Sequence, residues 1–303
     1  MLVVSQAEVE ELLDLGELEF ALARAHAELS AGEASMPPRI AALVGEAGLL
    51  GAMPAYLPSA GLGCKLVSLF PGNVDRPSHQ AAIVVFDPEN GTPLALMDGT
   101  YITATRTAGA AALAARLLAR EDASVLAIVG TGVQGHAAAR AYARVRDWRE
   151  VRVAGRDPAK TEELAAQAGG MARSFEDAVR GADVVHVCTH SPDPVVRREW
   201  LAPGAHVGSV GLNPNGSELD RAIVDDATLV VESRESAFAA PPAGAPELAG
   251  RDPSAAAELG EIVAGTRPGR TSDGVLTLYK SVGVAIQDLA AASLVLAAAQ
   301  ERV

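Results

Sequence analysis

The sharpest pattern in the chain is at Val125-Leu126-Ala127-Ile128-Val129, a continuous apolar run that passes directly into Gly130-Thr131-Gly132-Val133-Gln134-Gly135. A short unbroken run rich in β-branched residues predicts a strand buried on both faces, as in a parallel sheet. The Ala-rich segment after Gly135 predicts a helix. In this setting the spacing G-x-G-x-x-G has a physical reading. Gly130 makes the tight turn, Gly132 lets backbone N–H groups approach a pyrophosphate, and Gly135 lets the helix pack closely on the strand. The helix N-terminus then offers unpaired donors to the phosphates. A second strand at Val151-Arg152-Val153-Ala154-Gly155 completes a βαβ unit, so the stretch predicts dinucleotide binding.

The same alternation continues downstream. A helix over 158–168 is followed by apolar strands at 183–189, 205–210 and 228–232, which predicts a doubly wound parallel sheet, hence an α/β fold. The segment 238–253, rich in Ala, Pro and Gly, reads as loop. A last helix over 284–300 carries Ile286, Leu289, Ala290 and Leu294 on one face and is free to return to the N-terminal part of the chain.

Upstream the pattern differs. Ser5-Gln6-Ala7-Glu8 has the form of a capping box, placing a helix that turns Val9, Leu12 and Leu13 inward. A second helix, with Leu18, Leu22, Ala25 and Leu29 at helical spacing, stops at Gly32. Both read as structural. From Met36 to Leu96 short strands dominate: 63–70, 81–86 and 93–97, the last two joined by a turn at 87–91, which predicts an antiparallel sheet. A helix from about Ile102 to Ala119 leads to the dinucleotide strand. The pattern ends a first domain at 1–120 and starts a second at 121–274, with about 275–303 free to complete the first.

Bulk properties narrow the function. A length of 303 residues with 49% hydrophobic content supports two cores. A formal charge of −13 argues against nucleic-acid or anionic-membrane partners. The N-terminus shows no signal-peptide pattern, and the segment 289–299 is too short to cross a bilayer, so a soluble, cytoplasmic protein is expected. The two cysteines, Cys64 and Cys188, have no metal-site or disulfide-framework spacing. His186 and His190 flank Cys188, but no further ligands complete a site, so no metal is expected.

Three cations stand among apolar or small neighbours: Arg39, Lys65 and Arg106. In an acidic protein such a cluster would suit a small carboxylate substrate, with arginine giving a bidentate grip. Lys65 is also a candidate catalytic proton donor or acceptor if nearby cations depress its pKa. Taken singly, each also reads as an ordinary surface residue. At the end of the second strand, Arg156 is placed to accept a ribose 2′-phosphate, favouring NADP(H), while Asp157 keeps NAD(H) open.

Several separated segments resemble the ornithine cyclodeaminase and mu-crystallin family: Met36-Pro37-Pro38-Arg39, Gly63-Cys64-Lys65-Leu66-Val67, Pro77-Ser78-His79-Gln80-Ala81, Leu96-Met97-Asp98-Gly99 leading to Thr105-Arg106-Thr107-Ala108, the glycine turn, and Tyr279-Lys280-Ser281-Val282-Gly283 with Asp288. They run in the family's order, and the Ser-His-Gln segment and Arg156 look closest to its ketimine reductase branch. The resemblance implies a Rossmann-type NAD(P)-binding domain, a discontinuous α+β domain for substrate and dimerisation, and a homodimer. It implies a substrate carboxylate on Arg39 and Lys65, and cofactor contacts from Ser78, His79, Arg106, Thr131, Val133, Gln134, Thr189 and Ser281.

The family's cyclodeaminases carry a catalytic aspartate in a loop after the fifth strand. Here that loop, Val210 to Leu219, has none, and Asn213 is a poor substitute. The expected activity is hydride transfer at the C=N or C–N bond of a small imino or amino acid. Ornithine cyclodeamination and non-catalytic small-molecule binding are the alternatives.

Overall fold

The computed structural model describes residues 1–240 and 243–302. They form two compact units, Met1–Arg106 with Val284–Val303, and Thr107–Gly283.

In the first unit, β1 (Leu2–Val4) leads into α1 (Gln6–Leu12). Ser5 starts this helix with the expected box: its hydroxyl accepts from Glu8 N, and the Glu8 carboxylate accepts from Ser5 N at 2.7 Å. Next, α2 (Leu15–Ser30) is capped by Asp14, whose carboxylate accepts from Gly16 N and Glu17 N, and it ends before Gly32, which has φ 76°. Leu18, Leu22 and Ala25 are buried, whereas Leu12 and Leu29 are only half-buried.

The strands β2 (Ile40–Val44), β3 (Gly48–Leu57), β4 (Gly61–Leu69), β5 (His79–Phe86) and β6 (Pro93–Asp98) then form an antiparallel succession. β1 joins β6 in parallel, giving the order β1-β6-β5-β4-β3-β2. The sheet is therefore mixed, where the sequence pattern predicted antiparallel pairing alone. Alternation fixes its faces: Met53, Ala55, Leu57, Lys65, Ile83 and Val85 are buried, while Leu50, Tyr56 and Leu66 are exposed on the other side. After β6 comes α3 (Thr100–Leu118), whose residues from Thr107 onward belong to the second unit.

The second unit holds the eight-stranded sheet, every pairing of which is parallel. In chain order its elements are β7 (Val125–Val129), α4 (Val133–Tyr142), β8 (Glu150–Ala154), α5 (Pro158–Gln167), β9 (Met171–Ala172), α6 (Phe175–Val179), β10 (Val184–Val187), β11 (His206–Ser209), α7 (Arg221–Asp226), β12 (Thr228–Val231), α8 (Arg234–Ala237), β13 (Ala257–Glu258), α9 (Leu259–Val263) and β14 (Thr277–Lys280). The spatial order is β13-β12-β14-β11-β10-β7-β8-β9. From β7 the chain winds outward through β8 and β9, then restarts on the other flank at β10. The crevice for a ligand in such a sheet lies at this reversal, beyond the carboxyl ends of β7 and β10. This is the Rossmann-type doubly wound α/β sheet that the alternation of strands and helices predicted.

All five residues of β7 are buried, as a central strand covered on both faces requires. β14, which the sequence pattern did not separate as a strand, lies between β11 and β12. The Ala-, Pro- and Gly-rich stretch 238–253 carries a short 3-10 turn at Pro246–Leu248. Its Pro241 and Pro242 lie outside the described residues.

The last helix, α10 (Ala285–Gln300), belongs to the first unit and packs on α2 and across β3, β4 and β5. It was expected to bury one face. Instead every residue from Ala285 to Ala292 is buried, and Leu294 is only half-buried. Helix and sheet are in tight contact: a Cβ on Gly63 would lie 2.8 Å from Leu289 Cδ1. That fit seats Asp288 against the inner face of the sheet, bonded to Lys65. Among the described residues no helix is long and apolar enough to cross a membrane.

Candidate active site

The glycine turn after β7 is built as its spacing predicts. Gly130 has φ 124°, and a Cβ there would lie 2.8 Å from Cys188 O. A Cβ on Gly135 would lie 2.2 Å from Gly130 O, so the helix can approach the turn only with glycine at this position. Gly132 differs. It is the N-cap of the ten-residue α4, makes no side-chain cap, and a Cβ there would meet no protein atom within 4 Å. Protein packing explains the first and third glycines. The middle one leaves open space over uncapped helix donors, which fits a phosphate group.

The neighbouring residues fit a bound dinucleotide as well. Val133 is an exposed apolar residue, 66% accessible, in the first turn of α4. Gln134 Oε1 is buried and makes no hydrogen bond within the protein. Thr131 is half-buried and packs on the backbone at Gly155. Arg156 is exposed. Asp157 is engaged as the N-cap of α5, accepting from Ala159 N at 3.0 Å and Lys160 N at 3.3 Å.

Two buried carboxylates that sequence reasoning passed over fix the other expected cofactor residues of this unit. Glu218 Oε2 accepts from Thr189 N and Thr189 Oγ1 at 2.7 and 2.8 Å, while its Oε1 accepts from Ser209 Oγ and Gly211 N. Glu232 accepts from Ser281 Oγ at 2.8 Å and from the N–H groups of Val282 and Gly283. The hydroxyl protons of Thr189 and Ser281 are thus committed internally, leaving those oxygens as acceptors. Glu218, with four hydrogen bonds, braces the loop that lacks the cyclodeaminase aspartate. In that loop Asn213 donates to His190 O and accepts from Asn215 N.

The cationic cluster lies in the first unit. Lys65 Nζ is 3.0 Å from Asp288 Oδ1, and Arg106 Nε is 2.9 Å from the same oxygen. Both cations are 3% exposed and Asp288 is 1% exposed. Burial first, and then the positive charges of Arg106 and Arg39, lower the Lys65 pKa to about 8, against the opposing pull of Asp288. Arg39 is half-buried. His79, on the inward register of β5, is held at a pKa of about 4 by burial and then by Lys65 and Arg106, so it is a neutral ring at pH 7. Ser78 is exposed, and its carbonyl accepts from Phe70 N.

The structure therefore brings Lys65 and Arg106 onto Asp288, with Arg39 within electrostatic reach of Lys65 and His79 within reach of all three bonded groups. Asp288 Oδ2 is buried and has no hydrogen-bond partner within the protein. Such a site holds a fixed positive field for a carboxylate, a proton on a depressed amine, and one spare acceptor.

Sequence reasoning also missed two side chains behind this cluster. Gln287 Oε1 accepts from Arg106 Nη1, and Gln287 Nε2 lies 3.0 Å from His26 Nε2. Their only sequence signal is polarity inside apolar helical spacing, His26 four residues after Leu22 and Gln287 directly after Ile286. Elsewhere His186, one of the histidines weighed for metal, is buried with Nδ1 3.1 Å from Tyr142 OH. Among the described residues no group of three or more His, Cys, Asp or Glu is arranged to hold a metal ion.

Ketimine reductase mu-crystallin of Mus musculus is 40% identical over 255 residues, covering 82% of this chain and 80% of the relative. The structure of Thermococcus litoralis Δ1-pyrroline-2-carboxylate reductase in complex with NADH and L-proline superposes with a TM-score of 0.92 at 34% identity, covering 100% of this chain and 98% of the other. An archaeal alanine dehydrogenase dimer with bound NAD gives a TM-score of 0.93 at 34% identity, covering 100% and 97%. The profile of the ornithine cyclodeaminase/mu-crystallin family matches residues 1–302, and the chain belongs to that family.

Proposed function

We propose that the chain is an NAD(P)H-dependent oxidoreductase acting on the C=N or C–N bond of a small imino or amino acid, as an imine reductase or amino-acid dehydrogenase. The observation that carries the reading is the buried Lys65–Asp288–Arg106 cluster, with an amine whose pKa is near 8. Arg39 and Lys65 hold the substrate carboxylate, the ammonium of Lys65 gives the proton that reduction of C=N requires, and Asp288 Oδ2 accepts from the substrate N–H. When bound, the nicotinamide supplies or removes the hydride.

Gly130, Gly132, Gly135, Thr131, Val133 and Gln134 hold the dinucleotide, with Thr189 and Ser281 as acceptors; Ser78, His79 and Arg106 are assigned to it on the family pattern alone, Arg106 standing also in the cationic cluster. The second unit thus serves the cofactor and the first serves substrate and dimerisation. Relatives described as reductases and dehydrogenases, with NADH or NAD bound in solved structures, support the assignment. A cyclodeaminase is not favoured, because the one carboxylate in the 210–219 loop, Glu218, is saturated by structural hydrogen bonds.

The test is a spectrophotometric screen of NADPH and NADH consumption against pyruvate with ammonia or methylamine, pyrroline-2-carboxylate, and an iminosuccinate source. Consumption of either cofactor with one of these is expected. No consumption with any, or conversion of ornithine to proline and ammonia without net cofactor change, would reject the reading.

NADPH is the preferred cofactor in this account, because Arg156 is exposed at the end of β8 while Asp157 is spent on the helix cap. Arg156→Gln should weaken NADPH use by about 10- to 100-fold, the worth of a charge-assisted hydrogen bond, and leave NADH use within about twofold. Equal losses in the two sets of kinetics would remove Arg156 from that role.

A homodimer completes the proposal. The outer face of the six-stranded sheet exposes Leu50, Tyr56 and Leu66, with Ile40 and Val44 on the edge strand and Val3 on β1. An apolar sheet face of this extent suits burial against a second copy. Light scattering should find a dimer, and Leu50→Asp, which places a charge on both sides of a two-fold interface, should shift it to monomer.

A further inference from the structure

We propose that His26 and Gln287 form a positioning relay for Arg106: the ring of His26 sets the Gln287 carboxamide, and the carboxamide sets the guanidinium that stands beside Lys65. The inference rests on the carboxylate-binding role given to this cluster above. The direction of every link follows from donor and acceptor chemistry. A guanidinium only donates, so the atom of Gln287 facing Arg106 Nη1 must be Oε1. That leaves the amide Nε2, a donor, facing His26 Nε2 at 3.0 Å. His26 Nε2 must therefore accept, and the ring carries its proton on Nδ1. Burial, with a smaller contribution from Arg106, lowers the His26 pKa to about 3, so the accepting form persists across the working pH range. A reversed carboxamide would set N–H against N–H at Arg106.

The cost of this arrangement is visible. His26 is 0% exposed beside the buried Leu18, Leu22 and Ala25 of the same helix, and its Nδ1 has no hydrogen-bond partner within the protein. Packing alone would be better served by an apolar ring, since an orphaned buried N–H is unfavourable. What histidine provides and phenylalanine lacks is the Nε2 acceptor. Gln287 and Asp288 are consecutive on α10 and hold Nη1 and Nε of the same guanidinium, so two bonds fix its plane. With Gln287 undirected, the plane is free to turn about the remaining bond to Asp288, whose Oδ1 also serves Lys65.

The test uses His26→Phe, which keeps a ring, and Gln287→Met, which keeps length, each checked for native folding by circular dichroism. The readout is binding of pyrrole-2-carboxylate, a redox-inert planar carboxylate, by titration calorimetry, alongside kcat and KM with the imine found in the screen. Each variant should weaken the carboxylate by about tenfold, with the loss in KM exceeding that in kcat. The double variant should bind no worse than Gln287→Met alone, because the two act in series. His26→Asn, which restores an acceptor, should recover part of the affinity, and in an Arg106→Met background His26→Phe should change nothing.

A folded His26→Phe protein that binds like wild type, or a His26→Phe loss that persists in full without Arg106, overturns the relay. If His26→Phe does not fold, Gln287→Met and its Arg106→Met combination decide on the same criteria. Wild-type protein that binds the carboxylate but turns over no imine would reject the reductase reading and leave the relay standing. Wild-type protein that does not bind it overturns the relay together with the grip it serves.

Discussion

Replacing Lys65 by Met is expected to lower kcat/KM for imine reduction by about a thousandfold or more. Two losses combine in that figure. General acid catalysis by a positioned side chain contributes about 10²- to 10⁴-fold, and a charge-assisted hydrogen bond to a carboxylate adds roughly tenfold in binding. The pH profile separates them. With its pKa lowered to about 8, Lys65 is mostly protonated at pH 7. Reduction needs the protonated form, so its kcat/KM should fall as pH rises through about 8. Oxidation of the amino acid needs the neutral amine and should rise over the same interval. In Lys65→Met both limbs should disappear. A variant that keeps the limb near pH 8 would show that another group moves the proton.

Asp288→Ala should be the most destabilising single change in the first unit, lowering the unfolding free energy by about 3–5 kcal/mol, the usual consequence of removing one partner from a buried ion pair. The reason is geometric: one carboxylate oxygen, Oδ1, serves both Lys65 and Arg106, so its removal strands two cations that are each 3% exposed. That is a large share of the 5–15 kcal/mol typical of a folded domain. Urea titration checks it. Adding Lys65→Met to Asp288→Ala should restore part of the loss, because one stranded charge is then gone. A single-variant loss below about 1 kcal/mol would mean that the three groups are far better solvated than their burial implies.

What could be read from the chain beforehand was whatever is local. The turn at 130–135 is legible because a strand, three glycines and a helix start are contiguous, although the contact that demands glycine at 130 comes from Cys188, far along the chain. The capping box at Ser5 and the buried run 125–129 are legible for the same reason. The partnership of Lys65 with Asp288 joins residues 223 positions apart, and no periodicity signals it. Asp288 stood out only as part of a family pattern, and Gln287 and His26 did not stand out. The long strand β3 was hidden because Gly48, Gly51 and Pro54 interrupt its apolar pattern. β14 was hidden because Thr277-Leu278-Tyr279-Lys280 ends in a cation whose burial depends on Glu247, 2.9 Å away, and on acceptors at Ser209 and Gly211. In each case a residue type unfavourable to the element is made acceptable by a partner distant in sequence, which is information that tertiary structure alone holds.

The measurement that bears most directly on the central claim is isotope transfer. NADPH carrying deuterium at the reactive C4 position is incubated with the active imine acid, and the product amino acid is read by mass spectrometry and proton NMR. The account predicts deuterium at the α-carbon, one per cofactor oxidised. Product formed without label at that carbon, or cofactor left unoxidised while product accumulates, would contradict it.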